Sequence, residues 1–136
     1  MEYAKLGKSG IEVSRLCVGC MSFGRPSEDF HEWTLNPNET EEIVKKALDL
    51  GINFFDTANT YSHGTSEEYL GRALKKNIAR NKVVIGTKVY FNEGHLSKEA
   101  VRREIDGSLK RLGTDYVDLY IIHRFDYTTP IEETME

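Results

Sequence analysis

Four residues spread over the middle of this chain carry side chains suited to moving a proton: Asp56, Tyr61, Lys88 and His123. Asp56 ends the apolar run "INFFD" (52–56). An ionised carboxylate beside a core loses hydration and needs a partner, and Lys88, near the end of "KVVIGTKV" (82–89), has the right charge. Tyr61 follows Asp56 by five residues. An ammonium beside a phenol favours the phenolate, which makes the hydroxyl a better proton donor at neutral pH. His123, closing "YVDLYIIH" (116–123), can offer a ring N–H to an oxygen in the same space. A carbonyl oxygen held between Tyr61 and His123 would be polarised, then protonated as negative charge develops on it. That is the chemistry of adding hydride to an aldehyde or ketone.

These side chains can meet only if strands carry them there. Side chains alternate along a strand, so Ile52, Phe54 and Asp56 share a face, as do Val84, Gly86 and Lys88, and Val117, Leu119, Ile121 and His123. Each series is apolar until it ends, at the carboxyl end of its strand, in an ionisable residue. An ionised group pressed against a helix layer would be costly. These faces are therefore expected to point into a barrel interior and to converge at the carboxyl rim, where parallel barrels carry their sites. Tyr61, in the loop after its strand, leans over the same rim.

Strand and helix signals alternate along the rest of the chain. "EYAKL" (2–6), a turn at 7–10 and "IEVSRL" (11–16) read as a hairpin, and "LCVG" (16–19) as the first buried strand. A long polar loop (20–38) follows, with Phe23, Phe30 and Trp33 expected to shape a pocket. The first helix is expected over 39–50, capped by Asn38 with Glu41 and buried through Ile43, Val44, Ala47 and Leu48. The second is expected near 66–77 with Thr65 as cap, and the third over 98–112 between Ser97 and Gly113. A fourth opens with Thr129 as cap and Pro130 at its first position, seven residues before the sequence stops. Strands joined by helices make βαβ units and a parallel sheet. Four such units fit an open doubly wound sheet or half of a (βα)8 barrel, which typically takes about 250 residues. The incomplete last helix favours a truncated barrel. The open sheet would lack a phosphate-gripping loop after its first strand and leaves the hairpin unexplained.

Composition narrows the function further. The net charge of −4 argues against a nucleic-acid partner, and no apolar run reaches membrane-spanning length. The amino terminus lacks the apolar centre of a signal peptide, so a cytoplasmic location is expected. Cys17 and Cys20 form a C-x-x-C, but residues three apart on a strand face opposite ways and two cysteines fall short of the four ligands of structural zinc. No metal site is expected. His31, His63 and His95 read as surface residues.

Quoted in full, "GINFFDTANTYSHGTSEEYLGRAL" (51–74), "TKV" (87–89), "DYVDLYIIHRFD" (115–126) and "LGKSGIEVSRLCVGCMSFG" (6–24) resemble, in order, segments of the aldo/keto reductase family. The resemblance implies a (βα)8 barrel with a hairpin at its base, reducing small carbonyl compounds with NADPH. It implies that Asp56, Tyr61, Lys88 and His123 are the catalytic tetrad, with Tyr61 the proton donor. By the same likeness Gly19, Cys20, Met21 and Asp56 contact the cofactor. The chain would then be one domain over 1–136, the amino-terminal half of the barrel, without most of the anchorage for NADPH and inactive by itself. The outer strands of such a half would have open edges, a route to pairing with another chain. The alternative is a non-enzymatic binding or assembly module, or a relative of the potassium-channel β subunits. Those subunits resemble this chain but carry asparagine where His123 stands, which favours the enzyme.

Overall fold

The computed structural model describes residues 1–136. The chain begins with an antiparallel hairpin, β1 (Tyr3–Lys5) and β2 (Glu12–Ser14). It continues through β3 (Val18–Gly19), α1 (Pro37–Asp49), β4 (Phe54–Asp56), α2 (Thr65–Asn77), β5 (Val84–Val89), α3 (Lys98–Leu112), β6 (Leu119–Ile122) and α4 (Ile131–Met135). Strands β3 to β6 form one parallel sheet in sequential order, four βα units of a (βα)8 architecture. The hairpin is tied to the amino end of β4, where Ser14 N–H donates to Asn53 Oδ1 at 2.7 Å and Asn53 N–H to Ser14 Oγ at 3.1 Å. Tyr3 adds a hydroxyl bond to the Gly51 carbonyl at 2.7 Å. No helix is long and apolar enough to cross a membrane.

Strand parity divides the sheet as the sequence pattern implies. Phe55 and Ile85 point to the helix layer and join Cys20, Phe23, Val44, Leu70, Leu74 and Leu112 in one buried core. The other face carries Phe54, Asp56, Lys88, Leu119 and Ile121, all half-buried. Helices α2 and α3 touch almost backbone to backbone at Gly71, where a Cβ would stand 2.1 Å from the Leu112 carbonyl oxygen. Phe23 is core, not pocket wall: it is fully buried and bridges to Leu35, pinning the loop's two ends together.

Three helix starts differ from expectation, each for a local reason. Helix α1 is capped by Asn36 rather than Asn38: Asn36 Oδ1 accepts from Asn38 N–H at 2.9 Å and Glu39 N–H at 3.0 Å, and Glu39 returns the bond to Asn36 N–H. Pro37 decides this, because its fixed φ suits the first helical position and it has no N–H to satisfy. Ile43, expected inside, is solvent-facing. Thr65 does not cap α2, since its hydroxyl donates to the Ser62 carbonyl at 2.7 Å and accepts from Arg25 N–H at 2.8 Å. Thr129 does not cap α4, since its hydroxyl donates to Asp126 Oδ2 at 2.7 Å. Helix α3 keeps its expected limits, with Ser97 accepting from Ala100 N–H and Gly113 left-handed. Asn36→Ala is expected to cost about 1 kcal/mol and Asn38→Ala less than about 0.5 kcal/mol, read from urea midpoints at constant slope. Equal costs would return the cap to position 38.

Candidate active site

The carboxyl ends of β4, β5 and β6 bring Asp56, Lys88 and His123 to one rim, and the turn after β4 adds Tyr61. Lys88 Nζ donates to Asp56 Oδ2 at 2.7 Å and to the Thr57 carbonyl at 2.8 Å, and lies 3.4 Å from the Tyr61 hydroxyl. The His123 ring stands edge-on to Tyr61 with centroids 5.6 Å apart. All four side chains share one small volume. The rows of the sheet explain the spacing: Asp56 pairs with Gly86 and Lys88 with Ile121, so each successive ionisable residue lies two places beyond its neighbour's row and all reach a common height.

Local chain geometry aims the phenol. Tyr61 opens a short 3-10 stretch in which Ser62 and His63 take left-handed φ values of 46° and 53°. Non-glycine residues adopt that conformation rarely and at a cost. The turn is held by Gly24 of the long loop, where a Cβ would come 2.4 Å from Ser62 Cβ. His63 Nε2 also meets Asp29 Oδ2 at 3.1 Å, and the Phe30 ring tilts against Tyr61 at 6.4 Å. Trp33 is exposed and stacked on His31. Of the three loop aromatics, Phe30 is therefore the one beside the phenol. Nothing in the sequence around Ser62 and His63 signals the turn.

Burial, then the charge of Lys88, hold the His123 imidazole below its ordinary value of 6.5, with Asp56 opposing. His123 is therefore neutral at pH 7 and can donate one ring N–H. Its Nδ1 is buried without a protein partner. Phe91 packs edge-on to the ring at 5.2 Å, and Arg124 lies over Phe91; neither was expected from the sequence. In the unfolded chain His123 takes up its proton first as the pH falls. Its contribution to stability is thus full above 6.5 and lost as the pH falls through the depressed folded value. An NMR titration should place His123 below 6.5, and a midpoint above that would show the ring solvated.

The candidate cofactor-contact residues divide. Gly19 is exposed, with open space where a Cβ would stand, and Met21 is exposed beside it. Cys20 sits differently: its side chain is fully buried in the helix-side core, its N–H donates to the Asp56 carbonyl, and its carbonyl accepts from Ser66. Its side chain packs the core. The Cys17 residue is largely exposed, but partial desolvation of its thiol, then the Asp56 carboxylate, raise that thiol to about 11. The most enclosed cleft, about 310 Å³, lies at the opposite ends of the strands among Leu74, Ile78, Arg80, Val83 and Leu112, away from this chemistry.

Behind the rim lies a polar network that parity could not reveal. Glu67, fully buried on the first turn of α2, accepts from the Thr87 hydroxyl at 2.5 Å and from Arg111 Nε at 2.6 Å. Ser66 bonds to Thr57 and to the Cys20 carbonyl. The start of α2 is thereby fastened to β3, β4 and β5 beside the residues that carry Asp56 and Lys88.

Comparison with known proteins places the chain in a family. The family model described as "Aldo/keto reductase family" matches residues 15–136. Versiconal hemiacetal acetate reductase of Aspergillus parasiticus is 43% identical over 99% of this chain and 46% of its own length. A probable voltage-gated potassium channel subunit beta of rice, Oryza sativa subsp. japonica, is 38% identical over 99% of this chain and 41% of its own. Among solved structures, the thermostable aldo-keto reductase Tm1743, crystallised with the inhibitor epalrestat, superimposes with a TM-score of 0.84 at 36% identity, over 98% of this chain and 47% of its own. The chain spans about half the length of the relatives it matches. With the family model covering nearly all of it and its strand ends bearing this cluster, the chain belongs to the aldo/keto reductase family.

Proposed function

We propose that this chain supplies the proton-donating half of an oxidoreductase site that reduces aldehydes or ketones to alcohols with NADPH. The observation that carries the reading is the placement of Lys88 Nζ between the Asp56 carboxylate and the Tyr61 hydroxyl, with a neutral imidazole against the same phenol. A substrate carbonyl oxygen between Tyr61 and His123 would accept a hydrogen bond from each. The Lys88 ammonium stabilises the phenolate left when Tyr61 gives up its proton. Asp56 holds Lys88 in place. The residues present suit one end of the cofactor: Gly19 lets a ring approach the backbone closely, while Met21 and Asp56 border the same open rim. When bound, NADPH supplies the hydride. The chain carries no glycine-rich phosphate loop of either familiar type, so anchorage of the phosphates falls to other residues.

Joining this chain to the carboxyl-terminal half of the thermostable reductase provides the test. The fused protein should consume NADPH with a simple aromatic aldehyde, whereas the 136 residues alone should show no turnover above background. A folded fusion without turnover, or a monomeric chain with it, would overturn this reading. A second reading, a non-enzymatic module, is favoured by the likeness to the rice subunit. It leads to a fusion that binds NADPH but leaves the aldehyde untouched.

A further inference from the structure

A lysine ammonium has three protons to donate. Lys88 makes two short bonds, to the Asp56 carboxylate at 2.7 Å and to the backbone carbonyl of Thr57 at 2.8 Å, and its third neighbour is the Tyr61 hydroxyl at 3.4 Å. The two short bonds fix where Nζ sits and how its protons are turned. The N–H that Tyr61 meets is therefore aimed in part by a main-chain carbonyl. That carbonyl belongs to a residue gripped on both sides. Thr57 N–H donates to the Gly86 carbonyl at 2.9 Å. Its hydroxyl lies 2.9 Å from Ser66 Oγ, in the first turn of α2, and Ser66 donates to the Cys20 carbonyl at 2.7 Å. Ser66 has one proton and uses it on Cys20, so the Thr57 hydroxyl is the donor to Ser66. Cys20 N–H closes the circuit on the Asp56 carbonyl at 2.8 Å. Thr57, Ser66 and Cys20 have no exposure to solvent. Both acceptors of the ammonium thus come from adjacent residues whose main chain is pinned from β3, β5 and α2.

We propose, on the reading that Lys88 serves proton donation by Tyr61, that Thr57 is a positioning residue of this site and Ser66 its anchor. The Thr57 hydroxyl fixes the residue against α2, its carbonyl fixes Nζ of Lys88, and Nζ sets the N–H presented to Tyr61. Valine has nearly the shape of threonine and isolates the hydroxyl. A methyl carbon needs about 3.5 Å to its neighbours, where the hydroxyl now stands 2.9 Å from Ser66 Oγ. Thr57→Val therefore displaces residue 57 by on the order of half an ångström, and the carbonyl moves with it. Serine at the same place keeps the hydroxyl and the short contact.

NMR of the isotope-labelled 136-residue chain reads the ammonium directly. The Lys88 side-chain signal, assigned by its loss in Lys88→Arg, should exchange its protons with water faster in Thr57→Val, and Thr57→Ser should restore slow exchange. Ser66→Ala removes the acceptor without adding bulk and carries the same expectation if valine prevents folding. Equal exchange in the substituted and unsubstituted chains would overturn the proposal. Kinetics of the fusion with the thermostable half supply the link to Tyr61. Thr57→Val should lower kcat about 10- to 100-fold and leave KM within about twofold, because the binding surface is untouched. In a Tyr61→Phe background it should change the residual kcat by less than about twofold, since the group it acts on is gone. A full loss in that background, or an unchanged kcat with Tyr61 present, would also overturn it. An unsubstituted fusion without turnover would sink the reduction reading instead, and proton exchange at Lys88 would still decide the role of Thr57.

Discussion

Replacing Tyr61 by phenylalanine in the fusion with the thermostable half is expected to lower kcat/KM about 10²- to 10⁴-fold, equivalent to about 3–5 kcal/mol of transition-state stabilisation. Removing the hydroxyl takes away the proton donor and little else. The Tyr61 ring is held by the His123 edge at 5.6 Å and by Phe30 at 6.4 Å, contacts that phenylalanine retains. Lys88 keeps its two shorter bonds, to Asp56 and the Thr57 carbonyl. The urea midpoint should therefore move by less than the equivalent of about 0.5 kcal/mol, as at sites where packing is conserved. A variant that keeps more than a tenth of its activity would remove Tyr61 as the donor. A large loss of stability would make its hydroxyl structural.

Glu67→Ala is expected to be the most destabilising single change at the site, at about 3–5 kcal/mol. The carboxylate has no exposure to solvent and is balanced by Arg111 Nε at 2.6 Å and the Thr87 hydroxyl at 2.5 Å. Its removal leaves the Arg111 guanidinium, 27% exposed, without its carboxylate, and leaves a fully buried Thr87 hydroxyl without an acceptor. The second loss alone costs about 1–3 kcal/mol. Against the usual stability of about 5–15 kcal/mol for a domain, the variant would be close to unfolding. Pairing Glu67→Leu with Arg111→Leu should recover much of the loss, because replacing both partners of a buried ion pair by apolar groups avoids the stranded charge. Urea unfolding of the single and double variants measures both effects. A loss below about 1 kcal/mol for Glu67→Ala would mean that water reaches the carboxylate.

The sequence by itself determined the order of strands and helices, the face on which Asp56, Lys88 and His123 lie, and the limits of α3. Each of these follows from a short-range rule: a period of two along strands, a period of 3.6 along helices, and a serine and a glycine at the two ends. It also told Phe55 and Ile85 apart from their neighbours, because odd and even positions must face opposite layers. Where two local rules competed it misled. Asn38 and Asn36 each precede a glutamate by three residues, and only Pro37 separates them.

Only the tertiary structure decided the rest. Three strands, in rows offset by two residues at each step, bring Nζ of Lys88 to 2.7 Å from Asp56 and 3.4 Å from Tyr61, a distance no pattern of residue types contains. The left-handed turn at Ser62 and His63 persists because Gly24, 38 residues earlier than Ser62, leaves space for it. Glu67 is fully buried yet hydrogen-bonded because Thr87 and Arg111 reach it from two other elements. Local preference acts over a few residues, whereas the desolvation of a charge is set by whatever the folded chain places around it. That environment exists only once the elements have packed.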